Sequence, residues 1–388
     1  MPVADAAVTV RSWRLTAAGL ALIAVCYGLA RFTYGIFVPA FRSAFELSGT
    51  LLGTIAAGSY VGYCAAILVT AIAVPRFGPR TVATAAGAVA VAGMTMVAVA
   101  PNGAVLAVGV LVAGASTGVA SPPLAEVIAR WVPVPAQDRA QAVVNAGSGA
   151  GIAVSVPVVL LALGHWRLAW GLFAVIAATV TVWVMAAVPA APAARGPAET
   201  LFSGMTAVVG DRRSRPLITG ATIFGAASTA VWTFGRDHVV QAGGLGDTAS
   251  TLLWAVLGMA EIAGVVSGAL AARHGLRRVW MAGLVLLASA TLALGLFPQL
   301  STLAFAAAAL FGASYIILTT IVLFWATRLH PGHTAAAVAL GFLMIAVGQA
   351  LASPAVGVLA DRTGTAGVFV FCALLAALGM LSSPRNLE

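Results

Sequence analysis

The sequence predicts an all-helical integral membrane protein of twelve spans, and three observations carry that reading. The chain of 388 residues is 61% hydrophobic and 8% charged, with a mean hydropathy of +1.03, a composition that cannot cover the surface of a soluble protein this size. Apolar runs of about 20 residues, enough to cross roughly 30 Å of hydrocarbon, recur from Leu15 almost to the end. The basic residues, all arginine, alternate strongly between the connections on the two sides. Helices are required because lipid offers no partner to exposed backbone groups, and the alternation of barrel strands is absent.

The spans fall near 15–38, 51–73, 81–99, 104–128, 140–163, 168–188, 217–239, 250–271, 279–297, 302–327, 334–358 and 366–383. Arg11 and Arg14 precede a first run too long for a signal peptide and without a suitable cleavage site, so this span is expected to remain. Fifteen of the twenty arginines fall on the side of the termini, and four (Arg42, Arg167, Arg236, Arg362) on the other. The positive-inside rule then places both termini in the cytoplasm, and a lysine-free chain rich in Ala, Gly and Arg fits a GC-rich bacterial genome, so a bacterial plasma membrane is expected. The net charge of +9 thus reports topology, and no nucleic-acid partner is expected. Arg236-Asp237-His238 reads as a solvated rim at the end of the seventh span.

The longest polar-leaning connection, rich in Pro and Ala, separates the sixth and seventh spans. It gives an N-terminal six-helix bundle over 1–188, a cytoplasmic linker over 189–216 and a C-terminal six-helix bundle over 217–388. The halves resemble each other at a shift of about 197 residues: "YGLAR" (27–31) lies opposite "FGAAS" (224–228), "RFG" (76–78) opposite "RHG" (273–275), and "RWVP" (130–133) opposite "RLHP" (328–331). Two facing halves with a binding site near the midplane are what alternating access requires.

With this repeat the chain resembles the major facilitator superfamily over nearly its whole length. The family signature between the second and third spans reads roughly G-x-x-x-D-R-x-G-R-R. Here 71–80 reads "AIAVPRFGPR", keeping Arg76, Gly78 and Arg80 with Pro75 at the acidic position. The second-half copy "GALAARHGLRR" keeps Gly268, Arg273, Gly275, Arg277 and Arg278 with Ala272 at that position. The resemblance implies a cytoplasmic gate built from Arg76, Gly78, Arg80, Arg273 and Gly275. Glu126 and Arg130, spaced i, i+4 at the end of the fourth span, suit a local ion pair at the interface or a further gate contact. A fuller copy, "GVLADRTG" (357–364), follows the eleventh span on the arginine-poor side. The fifth span, "NAGSGAGIAVSVP" (145–157), is similar to the family's antiporter motif, and its small residues also suit close helix packing.

Two ionisable residues lie deep within spans. A central Arg costs roughly 2.5 to 3.5 kcal/mol, so Arg31 should face a wet cavity or a partner. On an α-helix Tyr27 and Tyr34 would share its face, a setting for an anionic or aromatic solute or for fixing helix packing. Glu261, in the eighth span, shares a face with Trp254, Leu257 and Gly258. A desolvated carboxyl takes up a proton more readily, the property proton coupling needs. A pair between Arg31 and Glu261, broken by substrate or proton, would link loading to conformation. Tyr60, Tyr63, Asn145, Trp232, Tyr315 and Gln349 complete the candidate substrate-binding residues, each equally suited to packing or interhelical hydrogen bonding.

No catalytic set, metal site, disulfide or cofactor is expected: the five histidines sit in loops or at span ends, and His330-Pro-Gly-His333 is too irregular for a metal helix. There is no phosphate loop and no lysine. The reading is a monomeric secondary transporter of a small organic solute, proton-coupled, leaning to export of a drug-like or metabolic compound. The alternative is uptake or exchange of a carboxylate bound by Arg31. Remoter ones are a polytopic membrane enzyme and a non-transporting receptor.

Overall fold

A computed structural model describes residues 2–190 and 199–384. The expected linker lies partly outside them, as do Arg195 and Arg385. No strand occurs among the described residues. Eleven helices are long and apolar enough to cross a membrane: α1 (Ser12–Phe45), α2 (Gly49–Phe77), α3 (Pro79–Ala98), α4 (Gly103–Trp131), α5 (Val134–Leu161), α6 (Trp166–Ala187), α7 (Arg212–Gln241), α8 (Asp247–His274), α9 (Leu276–Leu296), α10 (Ser301–Leu329) and α11 (Pro331–Thr363). The twelfth, α12 (Thr365–Gly379), is apolar but has 15 residues, about 22 Å of helix at 1.5 Å per residue. The protein is an all-α, twelve-helix integral membrane protein. Its described linker residues include a helix, Glu199–Gly210.

Three connections share one turn, and the sequence explains it. Gly78, Gly275 and Gly364 join α2 to α3, α8 to α9 and α11 to α12 with φ of 81°, 80° and 76° and ψ of 157°, 154° and 167°. A side chain is strained in that region, so a sharp helix–helix reversal there calls for glycine. These are the glycines of the three signature copies.

Two helices depart from α geometry at their ionisable residues. Ala24–Phe32 of α1, holding Arg31, is π-helical; Glu261–Val266 of α8 is a 3₁₀ segment that begins at Glu261. Such departures are uncommon, and both kinds occur often at functional positions and hinges.

Compactness divides the chain differently from the sequence repeat. One unit joins the chain up to Thr33 with 62–198; the other joins Tyr34–Val61 with the chain from Glu199 onward. The latter part of α1 and the opening turns of α2 therefore pack with the second six spans. The chain changes units where the π segment ends.

Candidate functional site

In the first unit Arg31 is buried, with its guanidinium carbon 4.8 Å from the ring centroid of Tyr63 and 5.4 Å from that of Phe32. The hydroxyl of Tyr27 lies 2.9 Å from Ser121 Oγ on α4, and its ring is 6.4 Å from Phe32. Arginine over aromatic faces is a favourable cation–π setting that still leaves planar N–H groups for a carboxylate. Glycines bring α5 against this stretch. A Cβ at Gly28 or at Gly151 would collide with the other helix, and Gly147 sits against the Leu20 carbonyl. The antiporter-like glycines thus make the close packing that small residues permit.

The π segment alters the arithmetic of shared faces around Arg31. Spacings of i+3 and i+4 apply to α-helices, whereas this stretch bonds i to i+5. Thr33 Oγ1 donates to the Leu29 carbonyl, and Tyr34 starts a new α segment in the other unit. There its hydroxyl donates to the carbonyl of Leu52, 2.8 Å away. Tyr60 is likewise buried in that second unit.

The second unit holds an aromatic column. The ring of Trp232 meets those of Trp254 at 5.9 Å, Phe311 at 5.8 Å and Tyr315 at 5.2 Å, all near perpendicular. Tyr315 continues it to Phe224 at 5.3 Å. Edge-to-face contacts of this kind contribute about 0.5–1.5 kcal/mol each beyond area burial. On α8, Trp254, Leu257, Gly258 and Glu261 form one buried face, while Ile262 and Val265 are exposed. Gln349 Nε2 donates to Ser228 Oγ at 3.2 Å, and Ser228 is the residue opposite Arg31 in the sequence repeat. Arg31 and Glu261 belong to different units.

Asn145 is exposed at the end of the Val134–Asn145 segment of α5 and accepts from Gln141 Nε2 at 2.9 Å. The segment's slightly polar sequence leaves this stretch short of the apolar run that begins at Gly147. Of the expected gate residues, Glu126 and Arg130 form an ion pair, Arg76 lies over the ring of Phe77 at 5.5 Å, Arg80 is half-buried, and Arg273 is exposed.

A polar network that the sequence misassigned occupies the end of the second unit where α1 meets α2. The expected solvated rim is buried: Arg236, Asp237 and His238 are 5%, 1% and 1% exposed. Each is charge-paired or hydrogen-bonded, as burial demands. Arg42 Nη2 bonds Asp237 Oδ2 at 2.8 Å. Arg236 reaches the Ile36 carbonyl at 2.5 Å, Ser250 Oγ at 3.0 Å and Asp247 Oδ1 at 2.8 Å. His238 lies 2.6 Å from Thr365 Oγ1 and 3.0 Å from the Gly295 carbonyl. A span end with three polar residues in a row gives no local signal of such burial.

Asp361 of the third signature copy caps a helix far away in sequence. Its carboxylate accepts from the backbone N–H of Gly49 (2.6 Å) and Thr50 (2.8 Å) and from Thr50 Oγ1 (2.7 Å). These are donors that the start of α2 leaves unsatisfied. Beside this cap, Gly49 and Gly53 cross Ser353 and Gly357 so closely that a Cβ at Gly53 would collide with the Ser353 carbonyl, a small-xxx-small contact on both helices. The end of α11 and the start of α2 thus lie at the same side, as the span count expects.

No curated protein is similar enough in sequence to count as a relative. Solved structures similar to this chain include a point mutant of the nucleoside transporter NupG (13% identity, 95% of this chain and 98% of that one, TM-score 0.80). A D-xylose–proton symporter is also similar (15%, 97% and 98%, 0.77). So is a bacterial homolog of the human lysosomal transporter Spinster (15%, 96% and 96%, 0.76). At these identities the likeness is one of fold. The sequence profile of the Major Facilitator Superfamily matches residues 20–267, well over half of the chain. With twelve helices, a six-and-six sequence repeat and this match, the chain belongs to the Major Facilitator Superfamily and is a transporter, not an enzyme.

Proposed function

We propose that the protein is a proton-coupled secondary transporter that exports a small amphipathic organic compound from a bacterial cytoplasm by alternating access. The observation that carries this reading is Arg31, buried on a π-helical turn over the rings of Tyr63 and Phe32. Arg31 binds the polar or anionic group of the solute, and Tyr27 and Tyr63 flank it. Glu261, the buried acid of α8, takes and releases the proton. The six-span halves rock as the moving bodies, the molecule works as a monomer, and both termini lie in the cytoplasm. In this orientation the network of Arg42, Asp237 and Asp361 is the outer latch, holding the first two spans against the second half when the outer mouth is shut.

A second reading, uptake or exchange of a carboxylate, is favoured by the same Arg31. Purified protein in vesicles with a pH-sensitive dye separates the two, using carboxylates and lipophilic cations on wild type, Arg31→Ala and Glu261→Gln. Proton movement driven by lipophilic compounds and lost in Glu261→Gln supports export. Movement confined to carboxylates and lost in Arg31→Ala supports the anion reading. Carboxylate counterflow that survives Arg31→Ala removes Arg31 from the binding site.

A further inference from the structure

The signature copy between α8 and α9 lacks its acid, and an open cleft of about 350 Å³ lies there, lined by Ala271, Ala272, His274, Gly275, Arg278 and Arg328, of which Ala272, His274, Arg278 and Arg328 are exposed. None of these residues is acidic. Arg278 and Arg328 enter no ion pair among the described residues. The two positions that would neutralise them are both apolar in this chain. Ala272 stands where the family signature has Asp. In the first half Arg130 pairs with Glu126 four residues earlier, whereas the residue four before Arg328 is Phe324. Two guanidinium groups and an imidazole around one cleft form a receptor for a phosphate-bearing anion, since guanidinium offers paired donors to phosphate oxygens.

We infer that this cleft binds the phosphodiester headgroup of an anionic membrane lipid. Size and surroundings favour a lipid over a soluble phosphate. The volume is in the range of ligand pockets, roughly 300–1,000 Å³, and about twelve times the share of one water molecule, more than inorganic phosphate fills. The α8 stretch leading to it presents Ile262, Val265 and Val266 at 71%, 82% and 49% exposure. Val266 precedes His274 by eight residues, about 12 Å along a helix, so a headgroup in the cleft leaves its acyl chains beside exposed apolar side chains. Basic pockets between spans hold anionic headgroups in this way. The sequence explains the site by subtraction, because it keeps Arg278 of the signature and Arg328 of the repeat and has Ala272 and Phe324 where their acids would stand.

The test measures thermal unfolding of the purified full chain in neutral detergent, titrated with phosphatidylglycerol, phosphatidylcholine or inorganic phosphate. The variants are Arg278→Gln, Arg328→Gln, the double variant, Ala272→Asp, and Arg277→Gln as a control outside the cleft. Phosphatidylglycerol is expected to raise the transition temperature of wild type and Arg277→Gln, with phosphatidylcholine and inorganic phosphate without effect. Apparent affinity should fall about 5-fold for each arginine removed and about 30-fold for both. Ala272→Asp should weaken binding while both arginines remain, which keeps the test decisive if the double variant does not fold. An unchanged phosphatidylglycerol response in Ala272→Asp and either single variant overturns the proposal, as does an equal response to phosphatidylcholine. A wild-type shift reproduced by inorganic phosphate overturns the lipid and assigns the cleft to a soluble anion.

Discussion

Replacing Asp361 by Ala removes the cap from the start of α2 and should loosen from α11 the ends of the first two spans that meet there. The carboxylate makes three hydrogen bonds. Loss of a helix cap costs about 0.5–2 kcal/mol, and bonds to a charged acceptor contribute about 1.5–3 kcal/mol. Asp361 is exposed, so water screens and partly replaces those bonds. We therefore expect about 1–2 kcal/mol, a 5- to 30-fold rise in the population with this contact open. Ser353 is a suitable reporter because it is buried where α11 crosses Gly53. With Cys26, Cys64 and Cys372 replaced by Ala, a Ser353→Cys variant is alkylated by a membrane-impermeant maleimide at a rate that follows the open population when closing outpaces labelling. Asp361→Ala should raise that rate 5- to 30-fold and Asp361→Asn by less, because an amide oxygen still accepts. A rate within twofold of the parent in Asp361→Ala would show that the cap does not hold this end shut.

Four further outcomes follow from the same geometry. Gly53→Val should raise labelling at the same reporter, because its Cβ has no room beside the Ser353 carbonyl. Gly151→Val should lower the unfolding temperature sharply or prevent folding, since the Gly28 backbone lies against it; a variant as stable as wild type would contradict the close crossing. Trp254→Ala should destabilise by about 3–5 kcal/mol in chemical denaturation, as for a large core truncation, while Trp254→Phe keeps most of the column. Glu126→Gln breaks a half-exposed i, i+4 pair and should change stability by no more than about 0.5 kcal/mol, so a larger transport defect would mark a gate contact.

How much the sequence reveals depends on whether a feature is local. The spans are legible because each must satisfy its own backbone and face lipid, which fixes its length and hydropathy. The repeat and the signature glycines are legible because one backbone turn demands one residue type. The π segment is not, for "AVCYGLARF" has the composition of an ordinary apolar helix, and counting α spacings across it placed Tyr34 on the face of Arg31. The burial of Arg236, Asp237 and His238 is set by partners such as Arg42, Thr365 and Gly295, distant in sequence and without a local mark. Asp361 could be found as a motif, yet the donors it caps lie more than 300 residues earlier. Asn145 illustrates the opposite limit, since hydropathy windows merge its polar segment with the apolar one that follows.

The π-helical stretch of α1 has a consequence for how this chain can change. An α-helix advances about 100° per residue, so a helix that bonds i to i+5 over nine residues works as a phase adapter between the two α segments it joins. The segment before it presents Leu20 and Ile23 to α5, the π stretch itself presents Ala24 and Gly28, and the segment after it aims Arg42 at Asp237. One uninterrupted α-helix would tie those two orientations to a single register. A residue lost from the regular α segment after it would turn everything beyond by about 100° and carry Arg42 off Asp237, whereas the wider i to i+5 turns give up a residue and close to α geometry with a much smaller turn. The π stretch is therefore the place where this helix absorbs a change of length.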